Sequence, residues 1–498
     1  METPGHLIIG ADCGSSIGTG HVMRCLALAQ VWKRAGGSVT FLMPEGWPAI
    51  EQRIRAEACG LQVLKSVQFP RAVLDRLRHG KPGRVVLDGY AFGTHEQLTL
   101  SEAGNQVLMV DDFAHASDYP VNWVLNQNVY ACEQMYARRR TDTRLLLGTS
   151  YALLREEFRP FLGWKRSVPD RANKLLITIG GSDPGNLSAR ILESLSLLQR
   201  EDLEVVLVAG GANPHLSELQ EVQERSKIRV RLVSNSLEMP ALMAWADVAV
   251  SGAGGTSYEL CYMGLPALLF VISENQRGVA EQLSKLSAAV YAGGVADFDA
   301  HKFAETLRRC IESPEARRAM SDRGRELVDG LGAARVKAAM LNREIHLRLC
   351  RETDCQLLFS WANDPEVRRV SFHPDIVTWE GHQAWFSQRL VDPQSVIYTG
   401  ENREGEPVGV VRFHLDGDRA VLSVSVAPQV RGAGWGRELI KLAIQVLTRL
   451  RAPGSVEAFV KPDNSASIRL FESCGFCRER IVEVAGQPAL LFSWRCQS

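Results

Sequence analysis

His21 is the first residue of this chain whose setting suggests chemistry. It closes the run Asp12-Cys13-Gly14-Ser15-Ser16-Ile17-Gly18-Thr19-Gly20-His21. An apolar stretch, Leu7-Ile8-Ile9, precedes the run and reads as a buried strand. Behind it, His21, Arg24, Leu26, Leu28, Ala29 and Trp32 begin a helical pattern. A strand, a glycine loop and a helix start together make an anion site, because glycines admit a phosphate closely and the first helical amides point at it. The positive end of the helix dipole favours a neutral ring at His21, able to act as a base. The same spacing also suits a capping or packing histidine.

The loop lacks the dinucleotide fingerprint. Met23 stands where a third glycine belongs, and the next strand, 39–43, has no ribose-binding acid at its end. Other polar residues follow apolar runs in the same way: Asp12 after the first, Asp88 and Tyr90 after 85–87, and Asp111-Asp112 after 107–110. Each alone suits a turn or a helix cap. Together they fall at the carboxyl ends of neighbouring strands, where open α/β sheets bind ligands.

The elements that must position these residues alternate in type. From residue 1 to 165, short strands at 7–10, 39–43, 85–87 and 107–110 alternate with helical patterns, which predicts a parallel, doubly wound sheet. A charged, proline-punctuated stretch over 151–172 reads as a linker. Alternation resumes over 166–343. A strand at 174–179 ends in Gly180-Gly181-Ser182-Asp183, one at 205–209 ends in Gly210-Gly211, and one at 248–250 runs into Ser251-Gly252-Ala253-Gly254-Gly255-Thr256-Ser257. Three glycine loops on one sheet edge suggest a seat for a nucleotide diphosphate. The expected fold class is α/β: two Rossmann-like domains in a GT-B arrangement, then a third α+β domain over 346–498. In that last domain, helices carry Trp361, Val367, Val370, Trp379, Trp385, Phe386 and Leu390. Strands at 395–399, 407–413 and 420–427 lead to Arg431-Gly432-Ala433-Gly434-Trp435-Gly436-Arg437 and a helix over 438–450.

The third domain resembles the GNAT acetyltransferases, on Arg431-Gly-Ala-Gly434-Trp-Gly436 and on Asn464-x-x-Ser467-Ile-x-Leu-Phe471-Glu-x-x-Gly475-Phe476. The resemblance implies acetyl-CoA as co-substrate. Val424, Val426, Arg431, Gly432, Ala433, Gly434, Trp435, Gly436 and Arg437 would hold its pantetheine and pyrophosphate, with Asn464 and Phe471 near the thiol end. Many relatives carry Tyr at the position of Phe471 to protonate the leaving thiolate, which Phe cannot do. The amine that receives the acetyl group must lose a proton to a base or water chain; Glu457 and His414 are the candidates.

Residues 1 to about 340 resemble the UDP-sugar hydrolases of pseudaminic acid biosynthesis, relatives of the two-domain GT-B glycosyltransferases of the MurG type. The motifs are Gly18-x-Gly20-His21-x-x-Arg24, Asp88-x-Tyr90, Asp111-Asp112, Leu125-Asn126-Gln127-Asn128, Gly180-Gly181-Ser182-Asp183-Pro184-x-Asn186 and Asn275-Gln276. The resemblance implies hydrolysis of UDP-2,4-diacetamido-2,4,6-trideoxy-β-L-altropyranose with inversion at the anomeric carbon. His21 would be the base and Tyr90 and Asn275 would line the sugar site. Asp12, Gly14, Gly18, Gly20, Arg24 and Asp111 would bind the substrate on the water-and-sugar side of the cleft, the glycines admitting the sugar-linked phosphate. Gly181, Ser182, Gly255, Thr256, Ser257 and the ribose-binding Glu259 would hold UDP. The two resemblances together imply acetylation of a 4-amino UDP-sugar followed by release of the sugar. Another nucleotide sugar, such as a legionaminic or neuraminic acid precursor, a sugar acceptor in place of water, and an idle sensor of both ligands are the competing readings.

Composition narrows the classes. The 498 residues are 45% hydrophobic and 23% charged, with 57 basic and 57 acidic residues. That balance points to a globular protein without bulk nucleic-acid or membrane-surface binding. No signal peptide or membrane span is read, so a cytoplasmic location and reduced thiols are expected for the 11 cysteines. The pair Cys474-x-x-Cys477 reads as packing, and no metal is expected.

Overall fold

The computed structural model describes residues 4–14, 19–65, 69–234, 236, 238–342, 344–432 and 434–495. Gly18 and Ala433 lie outside the described residues. Two compact units separate. One gathers the residues up to Arg159 with Lys165–Lys337, and the other Pro160–Trp164 with the residues from Ala338 onward.

The larger unit contains two parallel sheets. The first has seven strands: β1 (His6–Ala11), β2 (Ser38–Pro44), β3 (Gly60–Leu64), β4 (Arg84–Asp88), β5 (Gln106–Val110), β6 (Trp123–Asn126) and β7 (Arg144–Leu147). Their order is β3-β2-β1-β4-β5-β6-β7, with every pairing parallel. The second has six: β8 (Lys174–Thr178), β9 (Glu204–Ala209), β10 (Arg229–Ser234), β11 (Val248–Gly252), β12 (Ala267–Val271) and β13 (Val290–Gly294). Their order is β10-β9-β8-β11-β12-β13, again all parallel. In both sheets the chain reverses its direction of winding beside the first strand. The crevices at the ends of β1 and β4, and of β8 and β11, are therefore the two switch points.

Local sequence accounts for these elements. Strands covered on both faces read as near-continuous apolar runs, and in β4 and β5 all but the first residue are buried. The helix Gly20–Arg34 buries Val22, Cys25, Leu26, Ala27, Leu28, Ala29, Val31 and Trp32 around nearly its whole girth, and Lys33 and Arg34 complement the dipole at its last turn. The stretch expected as a linker is ordered in short 3-10 turns, Thr149–Tyr151 and Glu156–Phe161.

The smaller unit is built on one mixed sheet: β14 (His346–Leu349), β15 (Ser395–Glu401), β16 (Pro407–Asp416), β17 (Arg419–Val426), β18 (Ser455–Val460), β19 (Cys477–Val484) and β20 (Gln487–Arg495), in the order β14-β15-β16-β17-β18-β20-β19. Only β17 and β18 run parallel. The helix Trp435–Arg451 buries Leu439, Ile440, Ala443, Ile444 and Leu447 against Val411, Phe413, Leu422, Val456 and Ala458. On the other face Leu358 and Trp361 pack on Ile397 and Val410. Among the described residues no helix is long and apolar enough to cross a membrane.

Candidate functional sites

The carboxyl ends of β1, β4 and β5 bring His21, Arg24, Asp88, Tyr90 and Asp112 together. Arg24 lies one turn along the helix that His21 begins. Its Nε and Nη2 donate to the two Asp88 oxygens at 2.7 Å each. Its Nη1 and Nη2 donate to Asp112 at 2.7 and 3.1 Å. One planar fork thus grips two buried carboxylates. Burial alone would push the Asp112 carboxyl up, but the adjoining guanidinium outweighs it and holds the group well below the ordinary range. Arg24 is raised in turn by Asp112 and Asp88 against its own desolvation.

The imidazole of His21, in a residue only 6% exposed, lies between these carboxylates. Nδ1 is 3.6 Å from Asp88 Oδ1 and Nε2 is 3.9 Å from Asp112 Oδ2. Nδ1 is buried with no hydrogen-bond partner. The Tyr90 ring meets the imidazole edge-on at 5.0 Å, and its hydroxyl donates to Asp112 Oδ2 at 3.0 Å. Burial and the Asp112 charge push the Tyr90 phenol up, so it stays protonated. Asn275, which follows β12 in the other sheet, donates from Nδ2 to the Tyr90 hydroxyl at 2.8 Å. Three residues distant in sequence therefore meet where the two sheets face each other.

Asp12 also reaches this crevice. Its carboxyl is pushed up by burial against the pull of His21. The neighbouring Gly89 has φ +151°, and a Cβ there would stand 2.5 Å from the Asp12 Cβ, so only glycine fits. Gly14 and Gly20 flank the undescribed middle of the loop, and Gly20 opens the helix.

Two residues expected to meet substrate have other engagements. The guanidinium of Arg24 is turned to the Asp88 and Asp112 carboxylates, so it supports the crevice from beneath. Asp111 is fully buried. Its Oδ1 accepts the amides of Phe113 and Ala114 at 2.9 Å, while Oδ2 accepts from the Tyr119 hydroxyl and lies 3.2 Å from His115 Nδ1. Asp111 pins a loop; Asp112, one residue on, faces the crevice. Adjacent residues at a strand end point to opposite sides, so Asp111 is turned to its own loop and Asp112 to Arg24 and Tyr90. Asn128 was passed over as a site residue: it donates to Asp112 Oδ1 at 3.1 Å and accepts from the Tyr258 hydroxyl at 2.9 Å.

In the second sheet Gly181 abuts the first-sheet loop, where a Cβ would come within 2.9 Å of Thr19 Oγ1. Ser182 is next to it. The Asp183 carboxylate takes the amides of Leu187 and Ser188 at 2.8 and 2.9 Å and so caps the following helix. Gly255 precedes the short helix Thr256–Tyr262, and Ser257 donates to the Gly254 carbonyl at 2.7 Å. Glu259, on the same helix, is paired with Arg155 at 2.9 Å.

In the smaller unit, β16 and β17 pair from Gly409↔Val426 to Asp416↔Arg419. β17 and β18 pair only at Arg419↔Ser455, Ala420↔Val456 and Val421↔Glu457. Past Val421 the two parallel strands part, and Val424 and Val426 border the opening. Gly434, at φ +89°, caps the helix Trp435–Arg451. A Cβ on Gly436 would lie 3.0 Å from Val426 Cγ2, which shows how closely the helix start meets the strand. Gly432 has φ +79°; Trp435 and Arg437 are half-buried. Arg431 is not directed at this opening alone: Nη1 pairs with Asp364 at 2.9 Å and Glu366 at 3.2 Å, and Nε donates to the Val426 carbonyl at 3.2 Å. Asn464 caps the helix Ser465–Ser473 by accepting from Ser467 N at 3.1 Å. Phe471 is buried against Phe476 and Phe492, with ring centroids at 5.1 and 6.0 Å. Glu457 lies 3.7 Å from Arg419, and His414 is exposed. Cys474 is buried and Cys477 exposed, both as free thiols. Among the described residues no group of His, Cys, Asp and Glu could hold a metal ion.

Residues 175–331 match the glycosyltransferase family 28 C-terminal domain, and residues 344–477 match the acetyltransferase (GNAT) domain. The chain therefore joins a glycosyltransferase 28-type domain to a C-terminal GNAT acetyltransferase domain. It is similar over 482 residues, at 22% identity, to an uncharacterised protein of Methanocaldococcus jannaschii; the match covers 94% of this chain and 96% of that one. It is 26% identical over 348 residues to the spore coat polysaccharide biosynthesis protein SpsG of Bacillus subtilis, covering 67% and 97%. It is 24% identical over 269 residues to the pseudaminic acid cytidylyltransferase and UDP-2,4-diacetamido-2,4,6-trideoxy-beta-L-altropyranose hydrolase of Helicobacter pylori, covering 53% of this chain and 44% of that protein.

Proposed function

We propose that this chain acts twice on one nucleotide sugar. The GNAT domain transfers acetyl from acetyl-CoA to the 4-amino group of a UDP-4-amino-4,6-dideoxy sugar of the N-acetylaltrosamine type. The larger unit then hydrolyses the UDP-2,4-diacetamido-2,4,6-trideoxy sugar to UDP and the free sugar. The observation that carries the second activity is the meeting of His21, Tyr90 and Asn275 at the ends of two parallel sheets.

In the hydrolytic step, water attacks the anomeric carbon from the side opposite UDP. The imidazole of His21 takes the water proton as the new C–O bond forms, and the bond to the UDP oxygen breaks with inversion. Asp88 and Asp112 stabilise the imidazolium that results, and Arg24 fixes both carboxylates so that they can do so. Tyr90 and Asn275 orient the sugar. Gly181, Ser182, Gly255 and Thr256 offer backbone amides and hydroxyls to the departing diphosphate, Ser257 fixes the turn through the Gly254 carbonyl, and Glu259 meets the ribose hydroxyls on exchanging its Arg155 partner. Such preformed donors stabilise departing charge without reorganising.

For acetyl transfer, the parted edge of β17 presents free backbone groups to the amide-rich pantetheine arm. The helix start at Gly434–Arg437 receives the pyrophosphate. The acceptor amine gives its proton to water or to Glu457. With Phe471 unable to donate, the CoA thiolate leaves by taking its proton from solvent.

The test is one incubation: UDP-4-amino sugar plus acetyl-CoA, with CoA, UDP and free sugar followed together. The expected order is CoA first and UDP second. His21→Gln should slow UDP release by about 10²–10⁴-fold and leave CoA release intact. Undiminished UDP release from that variant overturns the role of His21. Binding of both ligands without either product identifies a sensor instead.

A further inference from the structure

Phe113 is a large apolar side chain left 45% exposed beside the hydrolytic crevice. Its ring packs on Tyr90 at 5.0 Å, tilted 50°, and Tyr90 is the ring that meets His21. His115 lies behind both, 6.2 Å from Phe113 and 5.7 Å from Tyr90. The backbone beneath this ring is fixed. Asp111 Oδ1 accepts the amides of Phe113 and Ala114, and Ala114 adopts φ +58°, a left-handed conformation that disfavours a residue with a Cβ. Strained backbone persists where the surroundings over-determine it, and it clusters at ligand sites. The left-handed turn does not bury Phe113, which keeps 45% of its surface exposed beside Tyr90.

An exposed aromatic face next to a polar, hydrogen-bonding phenol suits a ligand with one apolar edge. A 6-deoxy sugar has such an edge in the methyl group that replaces the hydroxymethyl. We propose that Phe113 is a specificity-determining residue of the His21 site: its ring receives the methyl edge of a 6-deoxy sugar and disfavours the hydroxymethyl of an ordinary hexose. The inference rests on the sugar-binding role proposed above for Tyr90 and Asn275. Against a ring, a hydroxymethyl loses solvent partners and gains none, a difference expected to be about tenfold in affinity.

The probes are UDP, UDP-N-acetylglucosamine and UDP-2-acetamido-2,6-dideoxyglucose; the two sugars differ at carbon 6 alone. Dissociation constants are measured by calorimetry on the full chain carrying His21→Gln, which keeps the sugars intact. The expected result is about tenfold tighter binding of the 6-deoxy sugar. Adding Phe113→Ala should bring the two sugars within about twofold and leave UDP unchanged, and Phe113→Leu should retain part of the preference. An unaltered ratio in Phe113→Ala overturns the inference, as does equal weakening of UDP, which would put the ring on the nucleotide. A sugar that adds nothing to UDP affinity overturns it too. UDP release, assayed with His21 intact, separates the two ideas. A ratio that collapses in a chain releasing no UDP sinks hydrolysis and leaves Phe113 standing. UDP release with an unmoved ratio does the reverse.

Discussion

Arg24→Met removes the guanidinium that holds two buried carboxylates. Asp88 is fully buried and Asp112 nearly so, and four hydrogen bonds of 2.7–3.1 Å tie them to the guanidinium. Breaking a buried pair by deleting one partner costs about 3–5 kcal/mol. Two carboxylates are stranded here, but protonation of either one relieves part of the loss, so about 4 kcal/mol is the expected total. For a unit of this size each kcal/mol lowers the melting temperature by about 2 °C, giving a fall of about 8 °C. Scanning calorimetry of the full chain would read it, with the transition of the GNAT unit as an internal reference.

The pH dependence carries the sharper test. In the wild type the Asp112 carboxyl is held below its ordinary value, against burial, by Arg24. Its stabilising effect is therefore complete above the unfolded pKa of about 3.9, and it is lost only as the pH falls through the lower folded value. The larger unit should keep this contribution unchanged between pH 5 and pH 7.5, taken as about one unit above the unfolded pKa and about neutral. Without Arg24 the sign reverses. Burial then raises the carboxyl, each unit being worth about 1.4 kcal/mol, and the variant gains stability as it is acidified over the same range. The gap between the two proteins should narrow toward pH 5. A variant melting within about 2 °C of the wild type, or a gap that ignores pH, would refute the claim that Arg24 supports both carboxylates. Arg24→Lys keeps the charge but loses the fork, and should fall between the two.

Further outcomes follow from the same geometry. Gly434→Val forces a β-branched side chain to φ +89° at the cap of the helix Trp435–Arg451; acetyl transfer should fall by at least about tenfold, read as CoA release, while UDP release from a pre-acetylated substrate is unchanged. Tyr90→Phe deletes the hydroxyl shared by Asp112 and Asn275. It leaves the buried Asp112 carboxylate and the half-buried Asn275 amide each short of a partner, at a cost of about 1–3 kcal/mol for the buried one, and UDP release should drop by about 10- to 100-fold if Tyr90 orients the sugar; a full rate would remove it from the site.

The parts of the fold that the sequence made legible share a physical origin. Strands β1, β2, β4, β5, β8, β9, β11 and β12 are covered by chain on both sides and show as apolar runs. The strands that escaped notice include all four sheet edges of the larger unit, β3, β7, β10 and β13. Arg229–Ser234 shows why: its residues are exposed or half-buried throughout, so no hydrophobic run marks it. Trp123–Asn126 lies inside the sheet and is wholly buried, but no helix separates it from β5, so the strand–helix alternation that marks its neighbours is missing there. At the sites, His21 with its glycine loop was legible because type and spacing suffice for a strand–loop–helix turn. The grip of Arg24 on Asp88 and Asp112 was not, because 64 and 88 residues separate the partners. Phe471 could be matched to a motif, yet only packing reveals that its ring is committed to Phe476 and Phe492.

The hydrogen bond from Asn275 to Tyr90 has a consequence for when the larger unit can act. Neither sheet owns a complete set of the proposed catalytic groups: one supplies His21 and Tyr90, the other Asn275. On the proposed mechanism, reactivity is conditional on two lobes being docked, and a nucleotide sugar held by one lobe alone is left unhydrolysed. Water is always abundant and a hydrolase cannot choose its second substrate by scarcity. On that reading, turnover is tied to a sugar that meets His21 and Tyr90 on one lobe and Asn275 on the other at once.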